Sequence, residues 1–148
     1  MQVKIAKSSG FCRGVKHAVD TAMSIPAENT YILGELIHNP IVTEQVAARG
    51  IRTVETVGEV PSGATLLLRS HGVGKAIYEE CERRGIRVVD CTCAFVKRIQ
   101  KIVDEVAGTD REIVITGSAR HPEVVGLNGW CGGRAVVIDS PDSPAIAA

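Results

Sequence analysis

The sequence predicts an α/β fold of parallel strands flanked by helices. Short apolar runs alternate with stretches of helical periodicity along the chain, as in parallel α/β sheets. Five metal- or anion-competent side chains, Cys12, His38, His71, Cys93 and His121, each follow an apolar run and precede a helix-like stretch. Parallel strands would place all five at their carboxyl ends, where open α/β folds build ligand crevices.

The elements follow in order. Val3 to Ala6 reads as a short strand, and Val15, Ala18, Val19, Ala22 and Met23 then repeat at helical spacing until Pro26 breaks the pattern. Tyr31-Ile32-Leu33 is the next strand, and Asn39-Pro40 opens a helix through Ala48 with Gly50 as its stop. Thr65 to Leu68 leads past Gly72 and Gly74 into a helix through Arg84, with Ile77 and Cys81 on one face; Gly85 closes it before the strand Ile86 to Val89. After Cys93, the positions Phe95, Ile99, Ile102, Val103 and Val106 mark the most regular amphipathic helix, ending near Gly108. Ile113-Val114-Ile115, a polar turn with His121, a short helix or turn to Gly129 and the strand Ala135 to Ile138 complete the alternation. Ser140-Pro141-Asp142-Ser143-Pro144 has the composition of one more helix start. The helix at Cys93 is the natural boundary between a first α/β lobe, 1–92, and a second, 93–148, that reads as truncated.

Composition sets outer limits. A chain of 148 residues with 45% hydrophobic content can bury a core. Its formal net charge of zero gives no electrostatic footprint for nucleic acid or an anionic membrane surface, so an anion must be held by a local site. The first residues lack the apolar core of a signal peptide, and no stretch approaches the ~20 apolar residues that span a bilayer. The expected location is cytoplasmic, and five cysteines there are ligands or buried thiols rather than disulfides.

Each candidate site has a plain reading beside the functional one. Cys12, in Gly10-Phe11-Cys12-Arg13-Gly14-Val15, is either a buried small residue or a thiolate at a helix start, and the flanking glycines favour the second. In Asp90-Cys91-Thr92-Cys93 the expected split is one ligand and one packing residue; Cys81 and Cys131 read as structural, and His17 as an ordinary helix-surface residue. His38, His71 and His121 each stand at a strand-to-helix turn, where free backbone N–H groups and the helix dipole favour an anion such as phosphate or diphosphate. Glu123, two residues beyond His121, is either a helix-capping surface glutamate or an acid: a carboxyl beside a bound anion keeps its proton, as a donor requires.

These segments together resemble a known family. Gly10-Phe11-Cys12-x-Gly14-Val15, Ile37-His38-Asn39-Pro40, Ser70-His71-Gly72-Val73, Asp90-x-Thr92-Cys93 and His121-Pro122-Glu123-Val124-x-Gly126 look like 4-hydroxy-3-methylbut-2-enyl diphosphate reductase, in the right order from the first strand to about Gly129. The resemblance implies the first lobe and part of the second of a three-lobed α/β fold. It also implies a [4Fe–4S] cluster with Cys12 and Cys93 as two of its three cysteine ligands. By the same resemblance His38, His71 and His121 grip the diphosphate of an allylic substrate, Glu123 delivers protons, and a ferredoxin or flavodoxin supplies electrons. The implied reaction is reductive dehydroxylation to isopentenyl and dimethylallyl diphosphate. The family's third cluster cysteine and its Ser-x-Asn substrate segment lie further along than Ala148, and Cys91 and Ala94 replace the alanine and proline of many relatives. Two other readings are a zinc module built from Cys12, Cys93 and two histidines, and a non-catalytic diphosphate-binding relative.

Overall fold

In the computed structural model, which describes residues 1–140, 142 and 143, the chain forms two parallel sheets with flanking helices. The first sheet has the order β2-β1-β3-β4, from β1 (Thr30–Leu33), β2 (Arg52–Val54), β3 (Thr65–Leu68) and β4 (Arg87–Asp90). Its helices are α1 (Arg13–Ser24), α2 (Pro40–Ala48) and α3 (Lys75–Arg83). The second pairs β5 (Val114–Thr116) with β6 (Val136–Ile138) and carries α4 (Ala94–Ala107) and α5 (Pro122–Trp130).

Alternation along the central strands decides which helix packs where. Tyr31, Leu33, Leu66 and Leu68 point to the face covered by α3, where they pack with Ile77 and Cys81. Ile32 and Leu67 point to the other face, against Ala18 and Ala22 of α1 and Val42 and Val46 of α2. With both faces covered, every residue of β1 and β3 is buried, so these strands are unbroken apolar or Thr-containing runs instead of alternating ones. Local chemistry sets the ends: Asn39 caps α2 by accepting from Val42 N–H at 3.2 Å with Pro40 in the first turn, and Gly85 takes φ +66° just past α3.

Two expectations change. Val3 to Ala6 forms no strand; Val3 and Ile5 are exposed, because among the described residues no strand edge pairs with them. The amphipathic helix α4 exists, but it turns Val96, Gln100 and Val103 inward and leaves Phe95, Ile99 and Ile102 exposed. Its inner side is set by packing against α5 and by Gln100, whose amide donates to Val73 O at 3.4 Å. The helix expected to start at 140–144 involves positions 141 and 144, which lie outside the described residues. The strand β2 and the 3-10 turn Val57–Glu59 went unread, although Thr56 and Glu59 form a capping box visible in the sequence.

The two sheets meet through glycines. A Cβ on Gly129 would fall 2.7 Å from Gly74 Cα, and one on Gly126 would lie 3.4 Å from Gly72 O. Trp130 Nε1 donates to Val73 O at 2.9 Å across the same contact, and Lys75 of α3 pairs with Asp104 of α4 at 2.8 Å. Gly129→Ala therefore forces backbone apart and should destabilise the protein by about 1–3 kcal/mol, the usual range for overpacking. Gly108→Ala, whose Cβ would meet only Glu105 O at an ordinary 3.6 Å, should stay within about 0.5 kcal/mol of the parent. Chemical unfolding of both variants checks this, and equal effects would mean that the contact is not tight.

Candidate functional site

The carboxyl ends of the strands carry the site, and backbone hydrogen bonds tie their loops together. Ser70, just past β3, donates its N–H to Leu36 O at 3.2 Å and accepts from Cys93 N–H at 3.0 Å. One buried residue thus links the loop that carries His38, the loop that carries His71 and the turn that carries Cys93. Gly72 continues the His71 loop at φ +74°, where a side chain would also run into the Gln100 amide.

The three histidines converge. Ring centroids lie 4.6 Å apart for His38 and His71, 5.8 Å for His71 and His121, and 6.4 Å for His38 and His121. They come from three separate loops, two on the first sheet and one on the second. Glu35 accepts from His38 Nδ1 at 3.1 Å, which leaves Nε2 of His38 for a ligand. His121 is the N-cap of α5, and its Nδ1 accepts from Glu123 N–H at 3.2 Å. With Nδ1 used as acceptor, the neutral ring carries its proton on Nε2 and donates from there. Among the described residues, buried Nδ1 of His71 has no hydrogen-bond partner. Burial first, then the imidazoles of His38 and His121 and the Arg69 guanidinium, hold His71 below the usual histidine pKa.

Glu123 occupies the first turn of α5 beside Pro122 and is half-buried. It lines one open cavity with His121 at the carboxyl end of β5, about 330 Å³ in volume. His121 and Glu123 therefore border shared space.

Cys12 and Cys93 are the N-caps of α1 and α4, and neither side chain caps its helix with a hydrogen bond. Cys12 is exposed and Cys93 half-exposed, so neither is a core thiol. The two helix starts abut through Gly14, where a Cβ would sit 2.7 Å from Cys93 Sγ. Cys91 splits from Cys93 as expected: it is fully buried, and burial first, then the neighbouring Asp90 carboxylate, pushes its thiol up to about 11. Cys81 and Cys131 are buried too, Cys131 donating to Asn128 O at 3.2 Å.

Asp90 fixes the Cys93 turn. It accepts from Tyr78 Oη at 3.0 Å, from Thr92 N–H at 2.9 Å and from Lys97 Nζ at 2.8 Å. Burial alone would raise its pKa, but the bonds from Lys97 and Thr92 outweigh that and hold the carboxyl below its ordinary value. This network escaped the sequence reading; its one visible trace is Asp90 three residues before Cys93 and Lys97 four after.

Among the described residues no three His, Cys, Asp or Glu side chains are placed to share one metal ion. Cys12 and Cys93 stand at the abutting starts of α1 and α4, outside the core, and cysteine is the residue type that an iron–sulfur cluster takes as ligand. No helix among the described residues is long and apolar enough to cross a membrane.

Comparison with known proteins agrees with this architecture. The family model for LytB protein matches residues 3–147. The chain is 40% identical over 146 residues to 4-hydroxy-3-methylbut-2-enyl diphosphate reductase of Caldanaerobacter subterraneus subsp. tengcongensis, covering 95% of this chain and 51% of that protein. It is 42% identical over 142 residues to the reductase of the same name from Geobacter sp. (strain M21), covering 95% and 50%. A solved structure of (E)-4-hydroxy-3-methyl-but-2-enyl diphosphate reductase, described as the terminal enzyme of the non-mevalonate pathway, superposes with a TM-score of 0.78 at 32% identity, covering 95% of this chain and 52% of that one. A diphosphate reductase structure from Plasmodium falciparum gives 0.82 at 25% identity, covering 90% and 43%. The chain spans about half the length of the curated relatives it matches. With its motifs in family order and its fold shared over nearly its whole length, the chain belongs to the LytB protein family.

Proposed function

We propose that this chain is the diphosphate-gripping and proton-delivering part of a 4-hydroxy-3-methylbut-2-enyl diphosphate reductase. The observation that carries the reading is the convergence of His38, His71 and His121 from three loops onto one point. Nothing in core packing requires it, since His38 and His121 are exposed. Three imidazoles at strand-to-helix turns suit a multiply charged anion: each donates an N–H, and the anion draws protons onto rings that would otherwise repel one another.

The family uses an iron–sulfur cluster. In this chain Cys12 and Cys93 would hold it, and when bound it supplies electrons to the allylic alcohol. The chain's own residues do the rest. The histidines fix the diphosphate end of the substrate, which sets the position of the distant hydroxyl. Glu123 gives its proton to the departing oxygen. The C–O bond breaks, the oxygen leaves as water, and two electrons with a second proton complete the reduction of the allylic carbon framework. The electrons come from a small redox protein of the ferredoxin or flavodoxin class.

Titration of the chain with inorganic diphosphate tests the grip. His71→Ala should weaken binding by about tenfold or more, the value of one charge-assisted hydrogen bond. Binding unchanged in all three single histidine variants would remove the site. Glu123→Gln should leave that affinity nearly unaltered, and in a form carrying the full length of its relatives it should lower turnover by roughly 10²–10⁴-fold.

The lowered His71 pKa gives a pH prediction. Free His71 is largely neutral at pH 7, and a bound diphosphate favours its imidazolium, so binding takes up protons. Affinity should therefore rise as pH falls from 8 toward 6, with net proton uptake visible as a buffer-dependent heat. The stability sign is opposite. Between the depressed folded pKa and the ordinary value near 6.5, the unfolded chain binds more protons, so the free protein loses stability as pH falls through that window.

A further inference from the structure

We infer that Arg69 is a specificity-determining positioning residue: wedged where the three histidine-bearing segments meet, its guanidinium makes the histidine site prefer the more highly charged of two phosphate ligands. The inference rests on the reading above, because it takes an anion at the three imidazoles as given.

The side chain reaches from one strand end to the next. Arg69 stands just past β3 and two residues before His71, and its Nη1 lies against Gly34 at the end of β1, where an added Cβ would fall 2.8 Å away. Gly34 in turn leads to His38 four residues on. Arg69 also lines a cavity of about 180 Å³ with Gly34, Glu55, Val73, Val125 and Gly126 among others. Val125 and Gly126 belong to α5, the helix that His121 caps. One cation thus borders the loop of His38, the loop of His71 and the helix of His121.

The fold leaves this cation unpaired. Among the described residues Arg69 forms no ion pair, and its buried Nε has no hydrogen-bond partner. Arg49 and Arg84 differ: the first donates to Ile25 O at the end of α1 at 2.9 Å, the second to Val60 O after the 3-10 turn at 3.1 Å. Burial works against the charge of Arg69, and the exposed Glu55 carboxylate works for it without reaching ion-pair distance. A half-buried cation left without a bond costs the fold free energy, so its task lies outside packing. Imidazoles change charge with pH, whereas a guanidinium keeps its charge, so Arg69 gives the site a fixed field. That field already acts on His71, after burial and the two neighbouring rings. Coulomb energy grows in proportion to ligand charge, and diphosphate carries more charge than orthophosphate at the same pH. The field therefore favours diphosphate beyond what its contacts supply.

Calorimetric titration of the chain with inorganic diphosphate and, separately, with orthophosphate tests this at fixed pH and ionic strength. Arg69→Met, which keeps an unbranched stem and removes the charge, should weaken diphosphate binding by about tenfold and orthophosphate binding by about half that factor. Arg69→Lys should keep both affinities within about threefold of the parent's, because a point charge suffices where no forked bond is made. Glu55→Gln, which takes away an opposing charge at an exposed position, should strengthen diphosphate binding by about two- to threefold. Chemical unfolding should place the Arg69→Met midpoint no lower than the parent's, since no bond is lost; a lower midpoint would make Arg69 a packing residue instead. The proposal also fails if Arg69→Met weakens both anions by one factor, or if Arg69→Lys behaves like Arg69→Met. A parent chain that binds no diphosphate overturns the function, and this inference with it. A parent that binds it, beside an Arg69→Met variant that binds equally well, overturns the inference alone.

Discussion

The contact of the Gly72–Gly74 loop with Gly126 and Gly129 of α5 is the constraint on which the site depends. Backbone there meets backbone, most closely where Gly129 faces Gly74 and leaves no room for a methyl group. That distance sets how α5 sits on the first sheet, and α5 begins at His121. The same loop carries His71 one residue before Gly72. A looser contact would move the helix start away from the loop, and the two imidazoles, one from each sheet, would part. Trp130 and Gln100 both donate to Val73 O, so the one carbonyl between the two loop glycines is held from α5 and α4 together.

Convergence of three histidines has an electrostatic cost, which falls on the buried one. At His71 burial, and after it the rings of His38 and His121 at 4.6 and 5.8 Å, disfavours the protonated form. Each exposed histidine already has one Nδ1 partner, Glu35 for His38 and the Glu123 N–H for His121, so ring orientation is fixed before any ligand arrives. His71 lacks such a partner and depends on packing. It is the ring most altered by a bound anion, because its neutral state comes from burial and from neighbours whose charge a diphosphate would offset.

How far the sequence could be read depends on what each residue's role required. Cys12, His38, His71, Cys93 and His121 were legible because each stands where a helix begins, and four of them follow strands that form. Cys12 follows none, since an apolar run such as Val3 to Ala6 becomes a strand only with an edge to pair with. The helix α4 was legible as a helix but not in its orientation: periodicity locates the stripe Phe95, Ile99 and Ile102, while the partner that decides which side is buried comes from elsewhere in the chain. Gly129 read as a helix stop, yet α5 continues through it to Trp130, because the glycine serves close approach and not termination. The convergence of the histidines was invisible for a related reason, as it needs the packing of one sheet on another.

Ser70 ties the Cys93 turn to the loops that carry His38 and His71. Its carbonyl holds the Cys93 turn and its N–H holds the Leu36 loop, so displacement of either is felt by the backbone that leads into His71. The Asp90 network clamps the same turn from the opposite side, through Lys97, Thr92 and Tyr78. A group bound at Cys93 would thus be fixed relative to an anion at the histidines by two short backbone bonds, without a side chain spanning the distance. Chemistry that binds one end of a molecule and reduces the other needs that kind of fixed spacing, because the reacting atoms are placed by contacts made away from them.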